Sequence, residues 1–393
     1  MSEDPDSSKA VQEKLRMSGE KIDYRFKLLY AIGMIIVVAG HCGGDGGFSL
    51  MYEFFTPYSF HLALFVFCSG YFYKDTSERT VGKYVLKKVK SLLIPLYLWN
   101  LFYGILQIFM FYKGFSIGES ISLYNLTIAP IVSGHQFIYN MGGWFVIPLF
   151  MIQVYNVLMR KLLRLLKCSH SDEILVILTL ALGIWGVFMA SGGYNENIWL
   201  VLVRMLYFAP FFQFGIFYKK YLEKFDHLPN LLYFIIVIGA QLFIIWKFGK
   251  QLRYTPSWCD NFVDGPIMPF VVGVLGIAFW LRMAKILEPA LGRSKWVNLI
   301  ADNTYTIMIN QILGFMVAKT VFAVMNKYMG IFSGFDWGLY KADYGYLYLP
   351  GNHSQMKIIY MAFGIMVPIL IQMIVRWSSA KIKSWAAVQR GLP

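Results

Sequence analysis

The chain has 393 residues and a net charge of +14, yet only 15% of its residues are charged and 57% are hydrophobic. That balance excludes a soluble domain, and with it a nucleic-acid binder whose basic residues coat a polar surface; it specifies a polytopic membrane protein. The four cysteines, Cys42, Cys68, Cys168 and Cys259, show neither CxxC nor framework spacing, so no disulfide scaffold and no structural metal site is expected.

Residues 1–24 are polar and rich in Ser and Lys, and read as a flexible cytoplasmic tail. With no small-residue cleavage site after it, the first hydrophobic span is expected to be retained. Ten spans follow, at roughly 25–42, 54–73, 92–112, 143–159, 173–191, 198–218, 230–246, 265–281, 297–325 and 357–375. The expected fold is all-α: one bundle of about ten transmembrane helices over 25–376, with residues 377–393 as a second cytoplasmic tail. The apolar run of the first span, Leu28 to Gly40, stops at His41, before a glycine-rich turn with one acid, Asp45. From Leu28 to Gly40 a helix rises about 20 Å, less than the ~30 Å hydrocarbon core, so His41 is expected below the far surface. An ionisable side chain at that depth is costly unless it faces a cavity or a partner. Glycine-rich backbone there needs protein or water around it. A polar pocket inside the bundle follows. The alternative for His41 is a polar helix end at an interface.

Charge orients the bundle. With the N-terminus inside, 27 of the 36 Lys and Arg fall on inner segments and 7 on outer ones. This asymmetry supports an even span count with both termini cytoplasmic, which places His41 toward the extracytoplasmic side. Arg204 and Lys319 lie within spans. Lys319 is read as snorkelling outward from a long helix. A buried Arg204 needs an acid, a carbonyl or a ligand phosphate. No internal repeat is visible. The long outer segments are 113–142 and 326–356; the second, GFDWGLYKADYGYLYLPG, reads as an ordered aromatic loop. Its Trp337, Tyr340, Tyr344, Tyr346 and Tyr348 suit either stacking on sugar rings or packing at the membrane interface.

Five strings occur in order along the chain: VVAGH (37–41), FHLALFVFCSGYFYK (60–74), KKVKSLLIPLYLW (87–99), GGWFVIPLF (142–150) and NTYTIMINQ (303–311). Together they resemble the membrane-bound acyltransferase 3 family, whose members have ten spans. The resemblance implies transfer of an acyl group, often acetyl, from cytoplasmic acyl-CoA as co-substrate to a hydroxyl of an extracytoplasmic glycan or similar acceptor. The implied setting is multi-pass in the plasma membrane of a bacterium, with lipid and acyl-CoA as partners and no tightly bound cofactor or metal. His41 occupies the position of the family's catalytic histidine. A hydroxyl is a weak nucleophile, and imidazole has the pKa of a useful base. Asp45 would orient it. Direct transfer and an acyl-histidine relay both remain open. His61 is a second catalytic or orienting group, or a histidine bonded to a neighbouring helix.

Lys87, Lys88 and Lys90 are either ordinary positive-inside charge or ligands for coenzyme A phosphates, and Arg204 is either a donor ligand or an internal structural partner. His135, Gln136, Trp144 and Asn310 are candidate acceptor contacts, with interfacial anchoring the other reading of Trp144. The chain departs from the family pattern at Tyr30, where a basic residue is usual, at Ala63 in place of proline, and at Asn310–Gln311 in place of a histidine. These departures point to a divergent branch. The rival readings are a transporter or lipid-linked glycan exporter and an inactive family member.

Overall fold

The computed structural model describes residues 22–43 and 54–389, with side chains as far as Lys381. Asp45 lies outside the described residues. All regular structure among them is helical. The ten principal helices are α1 Tyr24–His41, α2 Pro57–Tyr71, α3 Ile94–Tyr112, α4 Val146–Leu165, α5 Ser171–Ser191, α6 Asn197–Phe217, α7 Asn230–Phe248, α8 Met268–Leu291, α9 Thr304–Met329 and α10 Lys357–Gln389. Among the described residues, nine helical stretches are long and apolar enough to cross a membrane. The exception is α2. Its 15 residues rise only about 22 Å, and twelve of them are buried. Because protein rather than lipid surrounds α2, its length need not match a bilayer. α10 runs on through the segment read as a C-terminal tail.

α1 begins where Asp23 Oδ1 accepts from the Arg25 backbone N–H at 3.1 Å. It ends at His41, just before Gly43, whose φ of +88° carries the chain out of the helix. α2 crosses α6 through a reciprocal glycine contact. A Cβ on Gly70 would meet Phe212 O at 1.9 Å, and one on Gly215 would meet Phe67 O at 2.0 Å. The two backbones therefore touch, as small residues allow where no hydrophobic effect drives helices together. Fourteen residues of α6 are buried, which makes it the central helix.

The outer segment 113–142 folds back along α3 instead of staying above it. Gln107 Nε2 donates to Ile117 O at 2.6 Å, Asn100 Nδ2 to Asn125 O and Leu126 O at 3.0 Å, and Tyr97 OH to Thr127 O at 2.9 Å. Residues 107 to 97 span about 15 Å of helix, so the segment descends well into the bundle. Irregular backbone is tolerable there because side chains of α3 satisfy it. This explains why a hydrophobic span carries the fully buried Asn100 and Gln107.

Lys319 does not snorkel. It is buried in α9, and its ammonium donates to Tyr344 O at 3.0 Å and faces Asp343 O. The 330–356 loop is thereby tied to the bundle. Its aromatics stack mainly on each other: Phe335 touches Trp337, Tyr340, Tyr346 and Tyr348, with centroids 5.3–5.9 Å apart. Tyr340 is buried, whereas Trp337 and Tyr344 are exposed.

Candidate active site

His41 is the last residue of α1, and a neighbouring helix supplies its partner. His41 Nδ1 lies 3.1 Å from Gln311 Oε1 on α9. The amide orientation follows from its other bond, because Gln311 Nε2 donates to Met308 O at 3.1 Å. Oε1 is therefore the atom facing the ring, and Nδ1–H donates to it. With Nδ1–H as the donor, Nε2 is the nitrogen that carries the lone pair, the arrangement a general base needs. An orienting acceptor on Nδ1–H is the role a carboxylate plays in a hydrolase triad, filled here by a neutral amide. Beyond Gln311, α9 continues for 18 residues to Met329, about 27 Å of mostly apolar helix. His41 therefore sits inside the bundle, not at its rim.

His61 lies in α2, with the start of that helix beside the end of α1. Tyr58 OH donates to Gly40 O at 3.1 Å, and the Tyr58 ring meets His61 edge-on at 5.4 Å. His61 is buried, and its Nδ1–H donates to Pro57 O, one turn back. Its Nε2 is left as an acceptor, as in His41. Two imidazoles with matching tautomers thus sit at one junction of α1 and α2.

A second group of predicted residues gathers on the same side. Arg204, on the second turn of α6, is 1% exposed. It donates Nη1 to Ser133 O at 2.9 Å and Nη2 to Ser257 O, and its guanidinium lies 4.6 Å from the Trp144 ring centroid. His135 stacks on Trp258 at 4.1 Å, with both ring nitrogens buried and unbonded. Burial first, and then the Arg204 charge, push His135 down to about 3, so the ring is neutral. Two contacts connect this group to the histidines. Gly142 packs on Met308 O, the carbonyl that holds Gln311, and Trp144 follows two residues later. Tyr254 N donates to Tyr58 O at 3.4 Å, so the loop bearing Ser257 and Trp258 rests on Tyr58.

Gln136 and Asn310 are taken up internally. Gln136 Nε2 donates to Asn100 Oδ1 at 2.5 Å, and Asn310 Oδ1 accepts from Tyr103 OH at 2.5 Å. Each ties another element to α3. Trp144 is buried against Arg204 instead of anchoring at an interface. Lys87, Lys88 and Lys90 precede α3 and lie toward the start of α9, where Tyr305 OH, six residues before Gln311, donates to Leu92 O at 3.0 Å. Among the described residues, Arg204 is bonded to Ser133 O, Ser257 O and the Trp144 face and to none of these lysines. Other cations at the lysine end are paired: Arg25 with Asp23 and Glu223, Arg160 and Lys220 with Asp172, and Arg164 with Glu78. Lys88 lies 5.3 Å from the Tyr84 ring centroid, while Lys87 and Lys90 are exposed with no ion pair among the described residues. At Tyr30 the ring packs near Phe65, at 5.8 Å. Among the described residues, no three His, Cys, Asp or Glu side chains form a metal-binding group.

A family profile described as an acyltransferase domain, acyltransferase 3, matches residues 23–377, nearly the whole chain. The chain belongs to the acyltransferase 3 family. No curated protein and no solved structure matches it. In this acyltransferase 3 bundle, four of the five sequence strings converge on one place. VVAGH ends α1, FHLALF runs through α2, GGWFVIPLF leads into α4, and NTYTIMINQ opens α9 and ends on Gln311. The fifth, KKVKSLLIPLYLW, touches two of them: Leu92 O accepts from Tyr305 OH, and Leu96 packs at Gly143.

Sequence reasoning missed the roles of Gln311, Tyr58, Ser257 and Trp258. For Gln311 the signal was available, because it closes a string already singled out. For Tyr58, Ser257 and Trp258 there was none, since only the packing of distant loops brings them to the site.

Proposed function

We propose that this membrane acyltransferase moves an acyl group, acetyl in the simplest case, from cytoplasmic acyl-CoA to a hydroxyl of an extracytoplasmic glycan or similar acceptor. The observation that carries the reading is the His41–Gln311 pair: an imidazole inside a bundle whose Nδ1–H is held by Gln311, which makes Nε2 the basic nitrogen. His41 Nε2 takes the proton from the acceptor hydroxyl as its oxygen attacks the thioester carbonyl. Coenzyme A leaves as the thiolate and takes up a proton. If the acyl group first passes to His41, the same nitrogen is the nucleophile. His61, a turn into α2, stands as the second base or as an orienting group. Lys87, Lys88 and Lys90 offer unpaired ammonium groups to the coenzyme A phosphates. The charge distribution favours both termini and the lysine face in the cytoplasm, and the family resemblance implies the plasma membrane as the setting.

The test is acyl-CoA binding and thiol release by purified protein in nanodiscs. Saturable acetyl-CoA binding, with thiol release abolished in His41→Ala and the melting profile kept, is expected. Undiminished release in folded His41→Ala would remove His41 from the chemistry. Absence of acyl-CoA binding in folded wild type would move the assignment to transport.

A further inference from the structure

Among the described residues, Arg204 is the buried arginine without a carboxylate partner. The other buried arginines are neutralised: Arg160 meets Asp172 at 2.5 Å, and Arg282 meets Asp226. Arg204 has only two backbone carbonyls and the face of Trp144, with no carboxylate partner among the described residues. Its Nε is buried and bonded to nothing. Carbonyl dipoles and an indole face offset part of a buried charge, but they do not cancel it. Beside it, both His135 nitrogens are likewise buried and unbonded, under a Trp258 ring that is 46% exposed. The half-exposed Trp258 ring thus covers His135 on the face they share.

We infer that Arg204, with His135 beside it and Trp258 as the cover, is a recognition site for an anionic group of the acceptor, a carboxylate or a phosphate. The inference rests on the acyl-transfer reading for the word acceptor. Guanidinium geometry suits either oxyanion through paired N–H donors. His135 adds a neutral ring N–H, which donates without requiring protonation. Position assigns the anion to the acceptor and not the donor. Arg204 is held by Ser133 O and Ser257 O, in segments that the charge distribution places outside, while Lys87, Lys88 and Lys90 fall on a segment that it places inside. Trp144 faces Arg204, and Gly142, two residues earlier, packs on the carbonyl that anchors Gln311. An acceptor anion held by Arg204 would therefore place its neighbouring hydroxyl near the His41 pair.

The experiment is thermal unfolding of the full-length protein in nanodiscs, with glucuronate, glucose 1-phosphate or glucose added at matched ionic strength. A rise of about 2–4 °C with one or both anionic sugars and none with glucose is expected. Glucuronate alone would name a carboxylate, and glucose 1-phosphate alone a phosphate. The shift should vanish in Arg204→Gln and persist in reduced form in Arg204→Lys, which keeps the charge if the glutamine variant does not fold. No anion-specific shift in wild type, or one that survives in Arg204→Gln, overturns the inference. So does loss of acetyl-CoA binding in either folded variant, since the anion would then be the donor's. Acetyl-CoA binding to wild type is measured separately. Its absence would defeat the acyl-transfer reading, while the sugar shift would still report on the anion site.

Discussion

At the residue scale, the pair His41 and Gln311 makes a claim about positioning that a merely structural bond would not satisfy. Gln311→Ala removes the acceptor on Nδ1–H and frees the ring to adopt either tautomer. It should lower kcat for thiol release roughly ten- to a hundredfold while leaving the KM for acyl-CoA unchanged. Gln311→Glu restores an acceptor with a negative charge, which favours imidazolium. It should recover much of the rate and move the acidic limb of the pH–rate profile upward. Equal loss in both variants would assign Gln311 to packing alone. His135 gives a pH prediction with a definite sign. Its folded pKa of about 3 lies below the ordinary 6.5, so the unfolded chain binds more protons between those values. The stability His135 contributes is full above about pH 6.5 and is lost as pH falls toward 3. Melting temperature should therefore drop over that interval, and His135→Gln should flatten the drop. The sequence pointed to His41 through the depth argument and the motif. It named Asp45, which lies outside the described residues, from adjacency in the chain. It could not show that a residue 270 positions away, on α9, meets the ring.

At the scale of elements, polar and small residues inside apolar spans turn out to be packing instructions. Gly70 and Gly215 let α2 and α6 touch backbone to backbone. Gly215→Leu drives a branched side chain into Phe67 O, and overpacking of this kind costs about 1–3 kcal/mol or more. A lower melting temperature, together with weakened thiol release because His61 rides on α2, is expected. Gly239→Leu is the control, since a Cβ there meets nothing within 4 Å. Asn100 and Gln107 hold the descending 117–127 segment against α3. Asn100→Leu keeps the span apolar but strands two carbonyls, so the melting temperature should fall even as hydropathy rises. Lys319 followed the same logic. The hydropathy pattern allowed it to reach outward, but the nearest acceptors were the carbonyls of the 330–356 loop, and it turned inward to them.

At the scale of the whole molecule, the bundle has two chemically different ends. One carries exposed Lys87 and Lys90, with no ion pair among the described residues; at the other lie the loops that hold Arg204 and the aromatic loop tied to Lys319, with His41 and His61 between. Replacing Lys87, Lys88 and Lys90 together by Gln should weaken acetyl-CoA binding, with a loss that shrinks as salt rises, and should leave the melting temperature unchanged. Cysteines placed singly at Lys87 and at Tyr344 should label from opposite faces of sealed vesicles, and labelling from one face would discard the topology. The sequence by itself determined the class of protein, the positions of the spans, the asymmetry of charge and the family, because these are carried by local hydropathy, by composition and by short strings along the chain. Tertiary structure alone decided that α2 is a short interior helix, that 113–142 returns into the bundle, that Gln311 bonds His41, and that Ser133 and Ser257 hold Arg204. Each of these depends on contacts between residues tens to hundreds of positions apart. Such contacts are selected by packing and by the need to satisfy buried polar groups, and no periodicity in the chain records them.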